Sequence, residues 1–320
     1  MKKFGMIFAF LIIYVTTVTA AATEYLIPGG QVIGLELQDN TVTVAAIDAD
    51  VGAAAKAAGM QEGDRILRIG NTQVQTAEDV RNALQNCQGR IPVTVLRDGK
   101  TKTLSILPTV TGDGPKLGIY LKQGTTGVGT VTYYDENSGS FAALGHGVNT
   151  KNGNLLQLTT GRIYTAKVDT VKKGTVGTPG QLMGTVTKME PVGTIAKNTD
   201  QGVFGKLPSP GNTAALPIAD RSQIHTGKAT IRSTVKGQTL REYSVEILKI
   251  YPKGTERTRN MLLKITDPAL LNATGGIVQG MSGSPIIQDG KLVGAVTHVL
   301  VNDPTTGYGI FIENMLDAAA

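Results

Sequence analysis

Short apolar runs alternate with glycine turns along the chain from about residue 116 onward. Their spacing predicts β-strands, because helical periodicity is convincing only near the end, over residues 312–320. Regular succession of such strands favours an all-β barrel or a pair of barrels. The predicted strands cover residues 127–134, 161–171, 184–186, 230–235 and 243–250.

The front of the chain, residues 27–108, has a different pattern in which strands and helices mix. Two alternating strands over 32–37 and 42–47 precede a short helix, and Thr76 is a good N-cap for a second helix that runs through Cys87. Two further strands flank the turn at Asp98-Gly99. We expect a small α+β domain, joined by a linker over 108–115 to a second domain over 109–320.

One segment of this front domain resembles a PDZ domain of the type found beside bacterial peptidases. Gly63-Asp64-Arg65-Ile66 and the residues up to Asn71 are similar to its strand and turn. The resemblance implies that backbone N–H groups at Ile33, Gly34 and Leu35 capture a terminal carboxylate while a strand edge pairs with an extended peptide. The alternative is a module that only packs against the second domain and regulates it.

The first 22 residues have the pattern of an export signal or membrane anchor. Lys2 and Lys3 precede an apolar stretch from Phe4 to about Val18, and small residues follow. The stretch is near the lower limit for a spanning helix, so cleavage and anchoring both stay open. We expect the remainder of the chain outside the cytoplasm, membrane-associated or secreted.

Composition excludes several classes of function. The 320 residues include 40 Gly, no Trp and one cysteine, with a net charge of +6. The basic residues are scattered and are not interleaved with aromatics, so we expect no nucleic-acid binding, and an anionic membrane surface is the simpler partner. The lone Cys87 forms no internal disulfide, and no Cys/His cluster has metal-ligand spacing. We therefore expect neither a metal nor another cofactor.

Ser282 is the strongest candidate for a catalytic nucleophile. It lies in Gly280-Met281-Ser282-Gly283-Ser284-Pro285, where small neighbours expose a serine on a tight turn. The segment resembles the nucleophile turn of chymotrypsin-like serine peptidases, although Met281 stands in place of an aspartate and Ser284 in place of a glycine. By this analogy the N–H groups of Gly280 and Ser282 form an oxyanion hole.

His146 is the preferred base. It sits between two glycines after a small, apolar run over 140–144, which predicts a buried strand that ends at the histidine. His298 ends another predicted strand and is an alternative base, whereas His225 has the setting of an ordinary loop residue.

Asp267 is the first choice for the acid that orients the histidine, because it follows an apolar strand and Pro268 biases it away from helix. An Asp-Pro turn starter is the competing interpretation. The order His146, Asp267, Ser282 is that of chymotrypsin. Other carboxylates stay possible as orienting groups: Asp135, Asp169, Asp220 and Asp303.

The histidine block and the long block around Ser282, with the later segments 293–299 and 301–305, resemble the SpoIVB peptidase family. These are PDZ-containing stage IV sporulation serine peptidases. The resemblance implies a triad at His146, Asp267 and Ser282, self-cleavage near the amino terminus, and cleavage of a membrane-tethered regulator in the intermembrane space of the forespore. A catalytically silent PDZ adaptor that binds peptide tails at the membrane is the alternative, and a small-molecule esterase is a weaker one.

Overall fold

The structure, a computed structural model, describes residues 24–85, 87–150, 153–211, 213–251 and 258–320. The predicted export segment, residues 1–22, lies outside these ranges. Within them, no helix has both the length and the apolar character needed to cross a bilayer. The described chain is mostly β, as the alternating pattern predicts.

The front half contains strands β1 to β11 and two helices. In chain order they are β1 (Tyr25–Pro28), β2 (Val32–Ile47), α1 (Ala53–Ala57), β3 (Arg65–Ile69), β4 (Thr72–Gln73), α2 (Ala77–Gln85), β5 (Ile91–Arg97), β6 (Lys100–Ile106), β7 (Thr109–Thr111), β8 (Gly114–Lys116), β9 (Ile119–Asp135), β10 (Ser140–Ala143) and β11 (Thr160–Lys172).

The second half adds ten strands and two helices to the described fold, with a 3-10 turn at Arg221–Gln223. In chain order they are β12 (Gln181–Val186), β13 (Gly193–Thr199), β14 (Gly202–Lys206), β15 (Leu216–Pro217), β16 (Gly227–Thr234), β17 (Leu240–Ile250), β18 (Met261–Ile265), α3 (Pro268–Thr274), β19 (Pro285–Gln288), β20 (Lys291–Leu300), β21 (Asp303–Phe311) and α4 (Ile312–Ala319).

Two closed six-stranded barrels account for most of the second domain, and the first of them also includes β2 from the front of the chain. In the first barrel, β2, β9, β10, β14, β13 and β11 pair in that order, and β11 pairs back to β2. In the second barrel the order is β16, β17, β18, β21, β20 and β19, and β19 closes onto β16. Separate apolar cores fill the two barrels. A further buried cluster, which includes Phe204, Ile310 and Met315, packs α4 and the two barrels together.

The PDZ-like sheet consists of β9, β2, β3, β5 and β6, with α1 and α2 packed on its core. Helix α2 starts where the sequence predicts: the Thr76 hydroxyl accepts from Asp79 N–H, and the Asp79 carboxylate accepts from Thr76 N–H. The wholly buried carboxylate of Asp64 pairs through both oxygens with the Arg97 guanidinium. This paired geometry compensates the cost of removing the Asp64 charge from water.

Two strands run through both domains. The first part of β2 and the last part of β9 belong to the first barrel, whereas residues 42–47 of β2 and 119–123 of β9 belong to the PDZ-like sheet. The expectation of two separate strands over 32–37 and 42–47 is therefore wrong. Between the two segments, the Asp39 carboxylate accepts a hydrogen bond from the Thr41 hydroxyl, and the chain does not reverse its direction. A β-bulge there shifts the register of pairing with β9. The linker predicted over 108–115 is instead largely the β7–β8 hairpin, tied to the PDZ-like part where Thr109 Oγ1 donates to Val51 O.

Candidate active site

The Ser282 turn joins the end of the α3 segment to β19 and lies against the first barrel. Gly280 and Gly283 have φ of 98° and 96°, in the left-handed region that favours glycine. A Cβ on Gly283 would lie 2.1 Å from Thr130 O and 2.5 Å from Leu144 N. Only glycine at 283 therefore lets the turn approach the first barrel this closely.

Two serines of the turn have different surroundings. Ser284 is fully buried, and its hydroxyl bonds the equally buried Ser233 at 3.1 Å. Ser282 is partly exposed, and its Oγ donates to Thr297 O at 2.6 Å. Ser284 therefore has a packing role in the second barrel, and Ser282 is the hydroxyl that a substrate can reach.

Backbone hydrogen bonds divide the turn's N–H groups into two sets. Those of Met281, Gly283 and Ser284 donate to carbonyls of the protein. Those of Gly280 and Ser282 donate to no acceptor in the described residues. Two unpaired N–H groups on a tight turn beside a reachable hydroxyl are the donors that a developing oxyanion requires.

Two buried threonines of β9 hold the turn in place. Thr130 Oγ1 donates to Gly280 O at 2.7 Å, and Thr130 N–H donates to Ser282 O at 3.3 Å. Thr132 Oγ1 donates to Gly283 O at 2.8 Å. These bonds satisfy the carbonyls of Gly280, Ser282 and Gly283 and fix the turn against β9. Neither Thr130 nor Thr132 is marked by a local sequence pattern, because the contacts they make lie about 150 residues away along the chain.

His146 follows β10 as predicted, and the strand is buried at its apolar residues. Leu144 and Gly145 both have positive φ, 72° and 67°, so the chain bends sharply just before the histidine. The ring Nδ1 lies 2.9 Å from Gly147 O, and since a carbonyl only accepts, Nδ1 carries the proton and Nε2 is left as the base. Burial lowers the pKa of His146, and the Gly147 carbonyl opposes this in part.

His298 on β20 lies beside His146. The two ring centroids are 5.1 Å apart, with 39° between the planes. Burial, together with the positive fields of His146 and Arg259, lowers the pKa of His298 to about 4. Its neighbour Thr297 supplies the carbonyl that holds the Ser282 hydroxyl. The structure thus brings Ser282, His146 and His298 to one place between the barrels.

Asp267 has a different environment from the one predicted. It is the N-cap of α3: its Oδ1 accepts from the N–H groups of Ala269 and Leu270, and its Oδ2 accepts from Ser244 N–H at 3.3 Å. No hydrogen bond joins Asp267 to His146 in the described residues. The competing interpretation, an Asp-Pro segment that starts a local structure, fits this geometry, and the orienting role of Asp267 stays a prediction.

The other four carboxylates that the sequence offers as orienting groups also form hydrogen bonds or ion pairs with residues close to them in the chain. Asp135 accepts from Ser138, Asp169 pairs with Lys167, Asp220 caps the 3-10 turn, and Asp303 accepts from Thr305 and Thr306. His225 is exposed and pairs with Asp289 at 2.8 Å. This pair accords with the ordinary loop setting predicted for His225.

The residues predicted to bind a peptide carboxylate, Ile33, Gly34 and Leu35, lie inside the first barrel. They pair with residues 127–129 of β9 on one side and with residues 163–165 of β11 on the other. Both edges of this backbone are therefore occupied, and the geometry does not fit capture of a terminal carboxylate there. The expectation rested on a local glycine pattern, which does not reveal that β9 and β11 flank the strand.

A cleft of about 580 Å³ opens next to the nucleophile turn. Its walls include Val128, Leu182 and Met183, and Leu182 also faces Gly280. Residue Gln181 forms a parallel bridge to Gln279, one residue before Gly280. Within the described residues, no group of three or more His, Cys, Asp or Glu side chains is placed to hold a metal ion.

Comparison with known proteins identifies two family models that match this chain. The model of the SpoIVB peptidase S55 family matches residues 113–316, and that of the PDZ domain matches residues 31–107. The active form of the Rv3671c protease from M. tuberculosis is similar at a TM-score of 0.37 and 13% identity, covering 60% of this chain and 72% of that one. Its inactive form gives a TM-score of 0.35 at 13% identity, covering 59% and 81%.

A curated relative, the putative zinc metalloprotease Atu1380 of Agrobacterium fabrum, is 38% identical over 89 residues, which are 28% of this chain and 22% of that protein. The chain thus spans about a fifth of that relative's length. The family match covers more than half of the chain and includes both His146 and Ser282. The chain belongs to the SpoIVB peptidase S55 family and is a PDZ-containing serine peptidase.

Proposed function

We propose that this serine peptidase is exported, cleaves itself, and cuts a membrane-tethered regulator in signalling between the compartments of a sporulating cell. The observation that carries the catalytic part is the partly exposed Ser282 on a turn with two N–H groups that have no acceptor among the described residues, close to the half-buried His146, whose Nε2 is unprotonated. The signalling part rests on the family to which the chain belongs.

In the first half of the reaction, Ser282 Oγ attacks the scissile carbonyl and His146 Nε2 takes its proton. The carbonyl oxygen becomes an oxyanion between the N–H groups of Gly280 and Ser282, whose positions are fixed by the β9 threonines. His146 then gives its proton to the leaving amine, and an acyl-enzyme forms at Ser282. In the second half, His146 deprotonates a water that attacks this ester, and Ser282 leaves with the proton restored.

The structure holds the nucleophile in a resting arrangement. Ser282 donates to Thr297 O and His146 donates to Gly147 O, so each reacting group is bonded to a backbone carbonyl. Catalysis therefore requires a rotation of the Ser282 side chain from Thr297 O towards His146. Rotation about a single side-chain bond is fast compared with peptide hydrolysis, so substrate binding is able to trigger it.

An extended peptide fits the neighbourhood of Ser282. The cleft beside the turn is lined mostly by apolar groups, together with Glu36, Tyr164 and Gln181. In the described part of the chain, most of strand β12 pairs with β11 along one edge alone. An unpaired strand edge next to a cleft is a common way for a protease to hold substrate backbone. Such a site favours a protein substrate over a small ester.

Membrane proximity is supported by sequence features outside the catalytic site. The net charge is +6, which favours an anionic surface, and the first 22 residues have the pattern of an export signal or anchor. An exported peptidase held at a membrane meets membrane-tethered substrates at high local concentration.

The proposal is tested by incubating the purified full-length protein alone and measuring intact and peptide masses with time, for the wild type and for Ser282→Ala. Self-cleavage near the amino terminus should appear only in the wild type. New amino termini on exported membrane proteins, compared between spore-forming cells that carry either version, should identify the regulator. Identical masses and identical termini in both versions would contradict the proposal.

A further inference from the structure

The cleft of about 580 Å³ beside the Ser282 turn has an apolar lining that bears on which peptides the enzyme cuts. Its walls include Met183, Val186 and Met189, whose exposed fractions are 47%, 42% and 87%. A folded domain rarely leaves several large apolar side chains together at its surface. Their grouping around one cleft therefore indicates a contact with another molecule.

Strand β12, which forms one wall of the cleft, has an open backbone edge. Leu182 N–H donates to Gln279 O, so the start of this edge is bonded to the segment that leads into the Ser282 turn. Two residues later comes Gly184, which pairs with Val168 of β11. Both backbone groups of Val168 are bonded to Gly237, on the side away from β12. The N–H and C=O of Gly184 therefore face the open edge, where an added strand can bond them.

This open edge continues directly from the Ser282 turn. Gln181 forms a parallel bridge with Gln279. Leu182 therefore lies beside Gly280, and a Cβ on Gly280 would be 3.0 Å from the Leu182 Cβ. Gly184 lies two residues further, about 7 Å along the strand. A peptide that reaches Ser282 while bonded to Gly184 has its scissile bond within about three residues of that contact.

A glycine on β9 gives the cleft its depth. Gly127 lines the cleft and pairs with Leu35 of β2. A Cβ on Gly127 would meet no atom within 4 Å, and its φ lies outside the left-handed region. The backbone at this position does not require glycine, so what glycine provides here is open space above the strand.

Glu36 contributes a carboxylate to the cleft, and both of its oxygens already have partners. Oε2 accepts from the Tyr164 hydroxyl at 2.6 Å, and Oε1 accepts from Gln38 at 2.8 Å, with Arg162 at 3.6 Å. The bond from Tyr164, followed by the contacts with Gln38 and Arg162, lowers the pKa of Glu36, although partial burial opposes them. A carboxylate with these partners does not require a cation from the ligand, but it disfavours a second carboxylate nearby.

We propose that this cleft is a specificity site of the peptidase: a substrate strand pairs with Gly184 on the open edge of β12 and places a large apolar side chain in the cleft, close to the scissile bond. The inference rests on the proposed peptidase chemistry at Ser282 and names the substrate class that this chemistry acts on. Leucine, methionine and phenylalanine side chains suit the lining. Aspartate and glutamate are excluded, because they would lose hydration and meet the Glu36 carboxylate.

The test compares leucine substitutions of two exposed glycines in the full-length protein. Gly127→Leu fills the cleft. Gly112→Leu is the matched control, since it places the same side chain on the β7–β8 turn, where a Cβ also meets no atom within 4 Å. Cleavage of a mixed peptide library, analysed by mass spectrometry, reports the residues that each protein prefers on both sides of the cut.

We expect the wild type and Gly112→Leu to prefer a large apolar residue at one position within about three residues of the cut. Gly127→Leu should lower kcat/KM for such peptides by about 10- to 200-fold and shift the preference at that position towards glycine and alanine. Acidic residues at that position should be cut poorly by all three proteins.

Labelling of Ser282 by a fluorophosphonate separates failure of this inference from failure of the proposed function. If the wild type does not label, the proposed function fails. If it labels yet cuts no peptide, or cuts without an apolar preference at any of these positions, the inference is overturned. Equal rates and equal profiles for Gly127→Leu and Gly112→Leu, at similar melting temperatures, would overturn it as well.

A measurement on the wild type alone covers the case in which Gly127→Leu does not fold. Peptides that carry leucine or glutamate at each of the three positions on either side of the cut are compared by kcat/KM. Leucine should be favoured over glutamate by at least about tenfold at one position. A smaller ratio at every position would overturn the inference.

Discussion

Thr130 Oγ1 on β9 donates to Gly280 O at 2.7 Å and thereby joins the barrel that carries His146 to the turn that carries Ser282. The residues are far apart in sequence, and both the donor and its strand neighbour Thr132 are completely buried. Strand β9 also pairs with β2 in the PDZ-like sheet over residues 119–123. One strand therefore belongs to the PDZ-like sheet at one end and contacts the Ser282 turn at the other.

Replacing Thr130 should lower both stability and catalytic rate. Thr130→Val keeps the shape but leaves Gly280 O without its donor, which we expect to cost about 1–3 kcal/mol of unfolding free energy. Because the turn then loosens, kcat should fall by about 10-fold or more. Thr130→Ser retains the hydroxyl and is the control. Equal kcat in the valine and serine variants would show that the bond has no role in shaping the turn.

The two serines of the turn should respond differently to alanine. Ser282→Ala should reduce the cleavage rate by about 10⁴- to 10⁶-fold, because its hydroxyl is the proposed nucleophile, while the loss of its bond to Thr297 O changes the melting temperature only slightly. Ser284→Ala removes a bond to Ser233 and should lower stability by about 1 kcal/mol while activity persists. Cleavage assays and thermal melts of both variants check this. An inactive but stable Ser284→Ala, with an active Ser282→Ala, would reverse the assignment.

Substitutions of Asp267 distinguish a role as the N-cap of α3 from a role in catalysis. Asn is as good an N-cap as Asp, so Asp267→Asn should preserve α3 and, if the carboxylate only caps, leave activity within a few-fold. Asp267→Ala removes the cap and should lower stability by about 0.5–2 kcal/mol. Melting temperatures and kcat are measured for both variants. A loss of about 10⁴-fold in Asp267→Asn at unchanged stability would instead support the triad role predicted from sequence.

Mild acid should destabilise the protein through two half-buried histidines, His146 and His298. The folded pKa of His298 is about 4 and that of His146 is also lowered, so between the unfolded pKa of about 6.5 and about 4 the unfolded chain binds more protons. Stability from these groups is therefore complete above about pH 6.5 and declines as the pH falls towards 4.

The measurement is the melting temperature of the wild type and of His298→Gln between pH 7 and 4.5. The wild type should lose more stability over this range than the variant. The comparison also cancels the opposite contribution of His225, whose pKa is raised by the Thr226 carbonyl and by Asp289. Parallel curves for the two proteins would contradict a buried neutral His298.

Local patterns predicted much of the fold. Alternating segments gave most strands of the barrels, Thr76 marked the start of α2, and the terminal pattern corresponds to α4 over Ile312–Ala319. These features depend on neighbouring residues, which a sequence displays directly. The serine turn and the strand before His146 are also features that neighbouring residues predict.

Contacts between distant segments account for what the sequence did not predict. Alternation specifies that Ile33 is buried, but it does not specify that β9 and β11 pair on both sides of it. Likewise, Asp267 before Pro268 suits either a helix cap or a triad, and the folded backbone around α3 decides how the carboxylate is bonded. The proximity of His298 to His146 arises only when β20 and the end of β10 meet between the barrels.

The most direct test of the central claim is the rate at which a fluorophosphonate modifies Ser282 in the full-length protein, with the site located by peptide mass. We expect a single adduct on Ser282 in the wild type and a rate reduced by at least about 10²-fold in His146→Ala. Modification that does not depend on His146, or an adduct at a serine other than 282, would contradict the account.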